Sequence, residues 1–168
     1  VMTVEKALAD GLGLGIDVKT SQGVMVVDVG YDTNPENHDL MTRLRQQKIA
    51  NIQVPDLEVE GDAADADLLV VGFGSTYGHL HAAMDDLRQK GYKVAQAQFK
   101  YLNPLPKNTA NVLKKYKKVV VAEQNMGQLA AYLRMKVDNF VPFQFNQVKG
   151  QPFVVEELVN AFEDILKK

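Results

Sequence analysis

LLVVGFGSTYGHLHAAMDDLRQKGYKVAQAQF, residues 68–99, decides the fold. Leu68 to Val71 is apolar at every position, the pattern of a strand covered on both faces. A glycine-rich turn follows, and then Leu80, Ala83, Met84 and Leu87 recur at helical spacing until Gly91 closes the helix. Val94 to Phe99 is a second strand. Two strands joined through a helix lie parallel, and the crossover is right-handed.

The alternation continues downstream. Thr109 to Tyr116 reads as a helix with Ala110 and Leu113 inward, and Val119 to Ala122 as a third apolar strand. Gln128 to Val137 is a helix with Leu129, Leu133 and Val137 on one side, and Phe145 to Val148 is a fourth strand. A last helix from about Val154 turns Val155, Leu158, Phe162 and Ile165 inward. Apolar strands alternating with helices imply an α/β protein, a mainly parallel sheet with helices on both sides.

Upstream the pattern is different. Pro55 to Asp67 holds six acids (Asp56, Glu58, Glu60, Asp62, Asp65 and Asp67) and no base, and reads as an exposed linker. A boundary near Gly61 divides residues 1–60, an N-terminal extension with an edge strand, a covering helix and the acidic linker, from the α/β domain of residues 61–168. Asn34 before Pro35 has the form of a helix cap with proline at the first helical position, and that helix runs to about Ala50. It is polar, with Arg43, Arg45 and Lys48, so it covers a surface or forms an interface. Val24 to Val29 is β-branched and reads as a strand. Val4, Ala7 and Leu8 suit a short helix, which Gly11, Gly13 and Gly15 then break.

The chain has 168 residues, 19 Lys and Arg against 21 Asp and Glu, and no cysteine. That length suits one domain, or one domain with an appendage. A net charge of −2 gives no overall attraction to nucleic acid or to an anionic membrane. The absence of cysteine excludes disulfides, iron–sulfur ligation and thiol catalysis within this chain, and fits a cytoplasmic setting. The start is Val1, without the basic flank and apolar core of a signal peptide, and suggests processing or a piece of something longer.

Candidate site residues gather after the strands. Gly74, Ser75 and Thr76 lie between a strand and a helix, where a phosphate can meet backbone N–H groups. The dinucleotide pattern fails, because Tyr77 stands at the third glycine and Gln96, Gln98 and Lys100 replace the ribose-binding acid. The bland alternative is that Ser75 or Thr76 caps the helix. His79 and His81 are two apart on a helix and point to nearly opposite sides, so no metal centre is expected. The lysine run 114, 115, 117 and 118 is read as solvating a helix end. Asn103 follows the second strand; Glu123, Asn125 and Gln128 follow the third. With Gly74, Ser75 and Thr76 they form a candidate ligand or partner edge at the carboxyl ends of the strands. Glu123 either is a buried carboxylate or caps the next helix.

Four segments in order carry a family resemblance: Leu68-Leu-Val-Val-Gly-Phe-Gly-Ser-Thr-Tyr-Gly78, Lys100-Tyr-Leu-Asn-Pro-Leu-Pro106, Val119-Val-Val-Ala-Glu-Gln-Asn-Met-Gly-Gln-Leu129 and Val148-Lys-Gly-Gln-Pro-Phe153. Together they resemble the C-terminal part of the alpha subunit of 2-oxoacid:ferredoxin oxidoreductases, the 2-oxoglutarate branch most closely. Asn34-Pro-Glu-Asn-His38 with Arg43, Arg45 and Lys48 resembles the segment leading into that domain. The resemblance implies a transketolase C-terminal-like fold, a three-layer α/β/α sandwich around a five-stranded sheet whose first strand, Val24 to Val29, runs antiparallel to the rest.

The resemblance also implies a parent complex that oxidatively decarboxylates a 2-oxoacid with coenzyme A and reduces ferredoxin. Thiamine diphosphate, magnesium and iron–sulfur clusters carry that chemistry. None of them is expected in this chain. A thiamine site needs Gly-Asp-Gly with a downstream Asn, and the only Gly-Asp here, Gly61-Asp62, is followed by Ala63. The implied role is structural: an assembly domain, inactive alone, that braces a thiamine-binding beta subunit and the other domains of an oligomer. Two other classes are a small flavin-binding protein using Ser75 to His79 and an anion-binding regulatory module using Asn103, Glu123 and Asn125.

Overall fold

The computed structural model describes residues 34–168, and before them only the backbone strands β1 (Gly15–Thr20) and β2 (Gly23–Asp28). The short helix read around Val4 to Leu8 lies outside the described residues. The chain divides into two compact units, Val1–Ile52 and Gln53–Lys168.

In the first unit, β1 and β2 pair antiparallel in a two-stranded sheet, with Gly15 opposite Asp28 and Thr20 opposite Gly23. Helix α1 (Pro35–Ala50) begins where the Asn-Pro pair predicts. The Asn34 side chain accepts from the N–H groups of Glu36 and Asn37 at 2.9 and 3.2 Å, and Pro35 occupies a position that needs no donor. No residue of α1 is buried.

The second unit contains β3 (Val59–Gly61), β4 (Leu68–Phe73), α2 (Tyr77–Gln89), β5 (Val94–Phe99), α3 (Thr109–Lys115), β6 (Val119–Glu123), α4 (Gln128–Lys136), β7 (Phe143–Asn146) and α5 (Val155–Leu166). The sheet order is β3-β5-β4-β6-β7; β4 to β7 are parallel and β3 runs antiparallel to β5. Alternate residues of each central strand enter opposite cores. Leu69, Val71, Ala97 and Val121 meet Leu113 of α3 and Leu129 and Leu133 of α4. Leu68, Val70, Val94 and Val120 meet Leu80 and Met84 of α2 and Leu158 and Phe162 of α5. This is the expected three-layer α/β/α sandwich, two helices on each face. Each fully buried leucine contributes roughly 1.5–3 kcal/mol relative to an exposed one.

One strand differs from expectation. The family resemblance implies Val24 to Val29 as the antiparallel member of the five-stranded sheet; Gly23–Asp28 instead pairs with β1, and Val59–Gly61 takes that place from within the acidic stretch. The reason is an alternation that the acids obscure. Leu57 and Val59 face the core, while Glu58 and Glu60 alternate with them on the other side, the period of a half-buried edge strand. Asn108 fixes the approach: its side chain accepts from the Leu57 N–H at 2.8 Å and donates to the Leu57 carbonyl at 3.0 Å. The last strand also begins two residues before the expected Phe145, leaving Val148 outside it.

The lysine run at the end of α3 holds other chain ends in place. Lys118 Nζ donates to the Leu166 carbonyl at the end of α5, and Lys115 Nζ and Tyr116 Oη both donate to the Ala63 carbonyl. Lys90, just past α2, reaches Glu163 of α5 at 2.6 Å, and Lys167 reaches the same carboxylate at 3.3 Å.

Two predictions follow from this packing. A Cβ added at Gly72 would stand 2.4 Å from both Gln98 Oε1 and Leu80 Cδ1. Gly72→Ala should therefore lower stability by about 1–3 kcal/mol in urea denaturation, the cost of overpacking. The Lys90 ammonium, by hydrogen bonding, holds the Glu163 carboxyl below its ordinary range. A depressed folded value stabilises the fold above the ordinary glutamate range, and the gain is lost as pH falls through the folded value. The melting-temperature gap between wild type and Lys90→Ala should be present near neutral pH and close on acidification.

Candidate functional site

The connection from β4 leads to β5 on one side, and the next strand, β6, returns to the other side of β4. The carboxyl ends of β4 and β6 therefore flank the topological switch point, where open α/β sheets bind ligands. Gly74, Ser75 and Thr76 follow β4, and Glu123, Asn125 and Gln128 follow or end β6. Asn103 stands beyond β5, exposed, before a cis bond to Pro104.

Most of these groups already have partners. Gly74–Thr76 forms one 3₁₀ turn leading into α2. Gly74 has φ +63°, the left-handed region that favours glycine. Thr76 is buried; its hydroxyl donates to the Phe73 carbonyl at 3.0 Å and accepts from the Phe73 N–H at 3.3 Å. The Gln98 amide donates to the Gly74 carbonyl at 2.9 Å and to Thr76 Oγ1 at 3.3 Å. Thr76 thus ties the turn to the strand before it, rather than capping α2 with its side chain. Ser75 remains exposed.

Glu123 is 3% exposed, and its two carboxylate oxygens accept from the N–H groups of Leu129 at 2.6 Å and Ala130 at 3.0 Å. Asn125 Oδ1 accepts from the N–H groups of Gly127 and Gln128, both at 2.9 Å. The two readings of Glu123 are both realised: it is a buried carboxylate that satisfies the first turn of α4, where negative charge complements the helix dipole.

A second set of polar groups lies along the β3 side. Tyr77 Oη donates to Glu60 at 2.9 Å, and this bond holds the phenol above its ordinary range. The His81 ring stacks on Tyr77 with centroids 5.4 Å apart. Its nitrogens stand 3.5 Å from Glu60 and 3.8 Å from Asp85. The sequence names Tyr77, His81 and Gln98 but does not bring them together with Glu60 as a set. The signal was available in Gln96 and Gln98, two amides in an otherwise apolar strand. Among the described residues no group of three or more His, Asp or Glu is placed to hold a metal ion.

Residues 66–158 match the model of the pyruvate:ferredoxin oxidoreductase core domain II. The chain belongs to this family. The 2-oxoglutarate oxidoreductase subunit KorA of Mycobacterium tuberculosis is 49% identical over 132 residues, 78% of this chain and 20% of that relative. A 2-oxoglutarate:ferredoxin oxidoreductase from Magnetococcus marinus, solved with 2-oxoglutarate, coenzyme A and succinyl-CoA bound, is 32% identical, with a TM-score of 0.70 over 83% of this chain and 25% of that one. A split-gene transketolase, an inactive beta4 tetramer, is 17% identical, with a TM-score of 0.52 over 70% of this chain and 44% of that one, and shows the fold alone. The chain spans a fifth to a quarter of the first two relatives' length.

Among the described residues, the one Gly-Asp pair is not arranged as a diphosphate site. Asp62, the only acid directly after a glycine, accepts from the Val94 N–H at 3.1 Å and lies 3.6 Å from Arg88 Nε. It closes β3 against β5 and is not presented to a diphosphate-bound magnesium ion. No cysteine is available to ligate an iron–sulfur cluster.

Glu123→Ala should destabilise the domain by about 1–3 kcal/mol, since two buried N–H groups lose their acceptors. Glu123→Gln, which keeps one acceptor, should cost less. Chemical denaturation of the two variants checks the order.

Proposed function

We propose that this chain is the structural and assembly domain of the alpha subunit of a 2-oxoacid:ferredoxin oxidoreductase. The complex would oxidatively decarboxylate 2-oxoglutarate with coenzyme A, yielding an acyl-CoA and carbon dioxide and passing the electron pair to ferredoxin. The 49% identity to the M. tuberculosis subunit carries this reading. The internal geometry supports the structural role: Thr76, Glu123 and Asn125 use their polar atoms to build the turns that end β4 and β6.

Thiamine diphosphate, magnesium and iron–sulfur clusters belong, in this reading, to other domains and subunits, including a thiamine-binding beta subunit. A cytoplasmic setting and an oligomeric assembly are part of the same proposal. The flavin alternative receives less support because the Thr76 hydroxyl is already engaged by Phe73 and Gln98, and the anion alternative because Glu123 and Asn125 already accept from the first turn of α4.

The test is purification from the native source, followed by native mass spectrometry and a ferredoxin-reduction assay. The proposal expects a complex containing a thiamine-binding partner that reduces ferredoxin only when 2-oxoglutarate and coenzyme A are both supplied. A chain without partners, or a complex indifferent to 2-oxoglutarate, would overturn it.

A further inference from the structure

Two cavities open along the carboxyl end of β5. One, of about 480 Å³, is lined by Glu58, Glu60, Gly74, Tyr77 and Lys100, with Phe99 beneath. The other, of about 220 Å³, is lined by Asp56, Leu57, Glu58, Tyr101 and Pro106 among others. They lie side by side, sharing Glu58, Gln98 and Lys100 in their linings, and are taken together as one groove.

Its chemistry is specific. Three carboxylates (Asp56, Glu58 and Glu60) line it against a single base, Lys100. Two tyrosine rings line it with them: Tyr77 is 39% and Tyr101 47% exposed. Tyr77 is held by Glu60 and His81, whereas Tyr101 is an open aromatic side chain beyond the end of β5 with no such partner among the described residues. Glu60 is fixed by Tyr77, which sets one carboxylate in place before anything binds. Glu58 is exposed, and no hydrogen bond or ion pair within the described residues engages it. Acidic groups beside open aromatic faces suit guanidinium and ammonium side chains, which pair with the carboxylate and stack on the ring. They disfavour phosphates and acyl-CoA.

We propose that this groove seats an arginine- or lysine-bearing segment of a second polypeptide in the assembled complex. The inference rests on the assembly role proposed above and gives that role a surface. The carboxylates steer and orient the partner, and the aromatic rings supply contact area. Glu58 is the sharpest probe, because it takes no part in the domain's own hydrogen bonding, whereas Glu60 also holds β3 to α2.

The experiment compares wild type, Glu58→Lys and Tyr101→Ala within the full complex, measuring subunit dissociation against protein concentration at low and moderate salt. Thermal unfolding of each variant is measured in parallel. Glu58→Lys should weaken association by about tenfold or more, as reversal of a close charge pair does, and should flatten its salt dependence. Tyr101→Ala should weaken association with less change in salt dependence. Both variants should unfold near the wild-type temperature. Association unchanged in both variants overturns the proposal, as does a loss of thermal stability without a loss of association, which would place the groove's occupant within the same chain. If the wild-type protein has no partner at all, the assembly role fails first, and that outcome is read from the wild type alone.

Discussion

Leu68, Leu69, Val70 and Val71 are wholly buried in the middle strand of a five-stranded sheet, and this double burial is the constraint on which the rest of the domain depends. A strand with no polar face must be covered on both sides. Its even and odd residues seed two separate cores, and each core needs its own pair of helices. Helices α2, α3 and α4 cross between parallel strands, and their first turns therefore fall at the carboxyl edge. The polar residues at that edge answer a need created by the fold: helix starts expose N–H groups that require acceptors. Glu123 and Asn125 supply them for α4, and Thr76 fixes the turn into α2.

This explains why the edge resembles a binding site in the sequence. Serine, threonine, asparagine and glutamate after apolar strands are the residues that bind ligands there, and also those that end strands and begin helices. The hydrogen bonds separate the two roles. In relatives, this domain is one part of a much longer subunit. A domain that uses its polar edge to hold itself rigid suits the work of bracing other domains. What remains uncommitted lies one strand further along, where Glu58, Tyr101 and Lys100 border a groove.

The βαβ core was legible because burial on both faces leaves a plain pattern: Leu68 to Val71, Val94 to Phe99 and Val119 to Ala122 all appear as strands within a residue or two of where they were read. Edge strands were harder, since they are apolar on one side only. In Leu57-Glu58-Val59-Glu60 the acids dominated the composition and hid the alternation. Phe143–Asn146, with Gln144 and Asn146 interleaved, was displaced for the same reason. The groove was less legible still. It joins Glu58 and Glu60 to Tyr77 and Lys100, which become neighbours only when β3 pairs antiparallel with β5. His81, too, takes its place between Glu60 and Asp85 only through the same pairing.

In the proposed role, the domain holds structure and does not touch the reacting groups. The most direct measurement is turnover per assembled complex, set beside the fraction assembled, for complexes carrying Glu123→Ala or Asn125→Ala. The assembled fraction should fall while kcat and the KM for 2-oxoglutarate, normalised to intact complex, stay at wild-type values. A loss of kcat in fully assembled complex would contradict that role and return the carboxyl edge to the catalytic machinery.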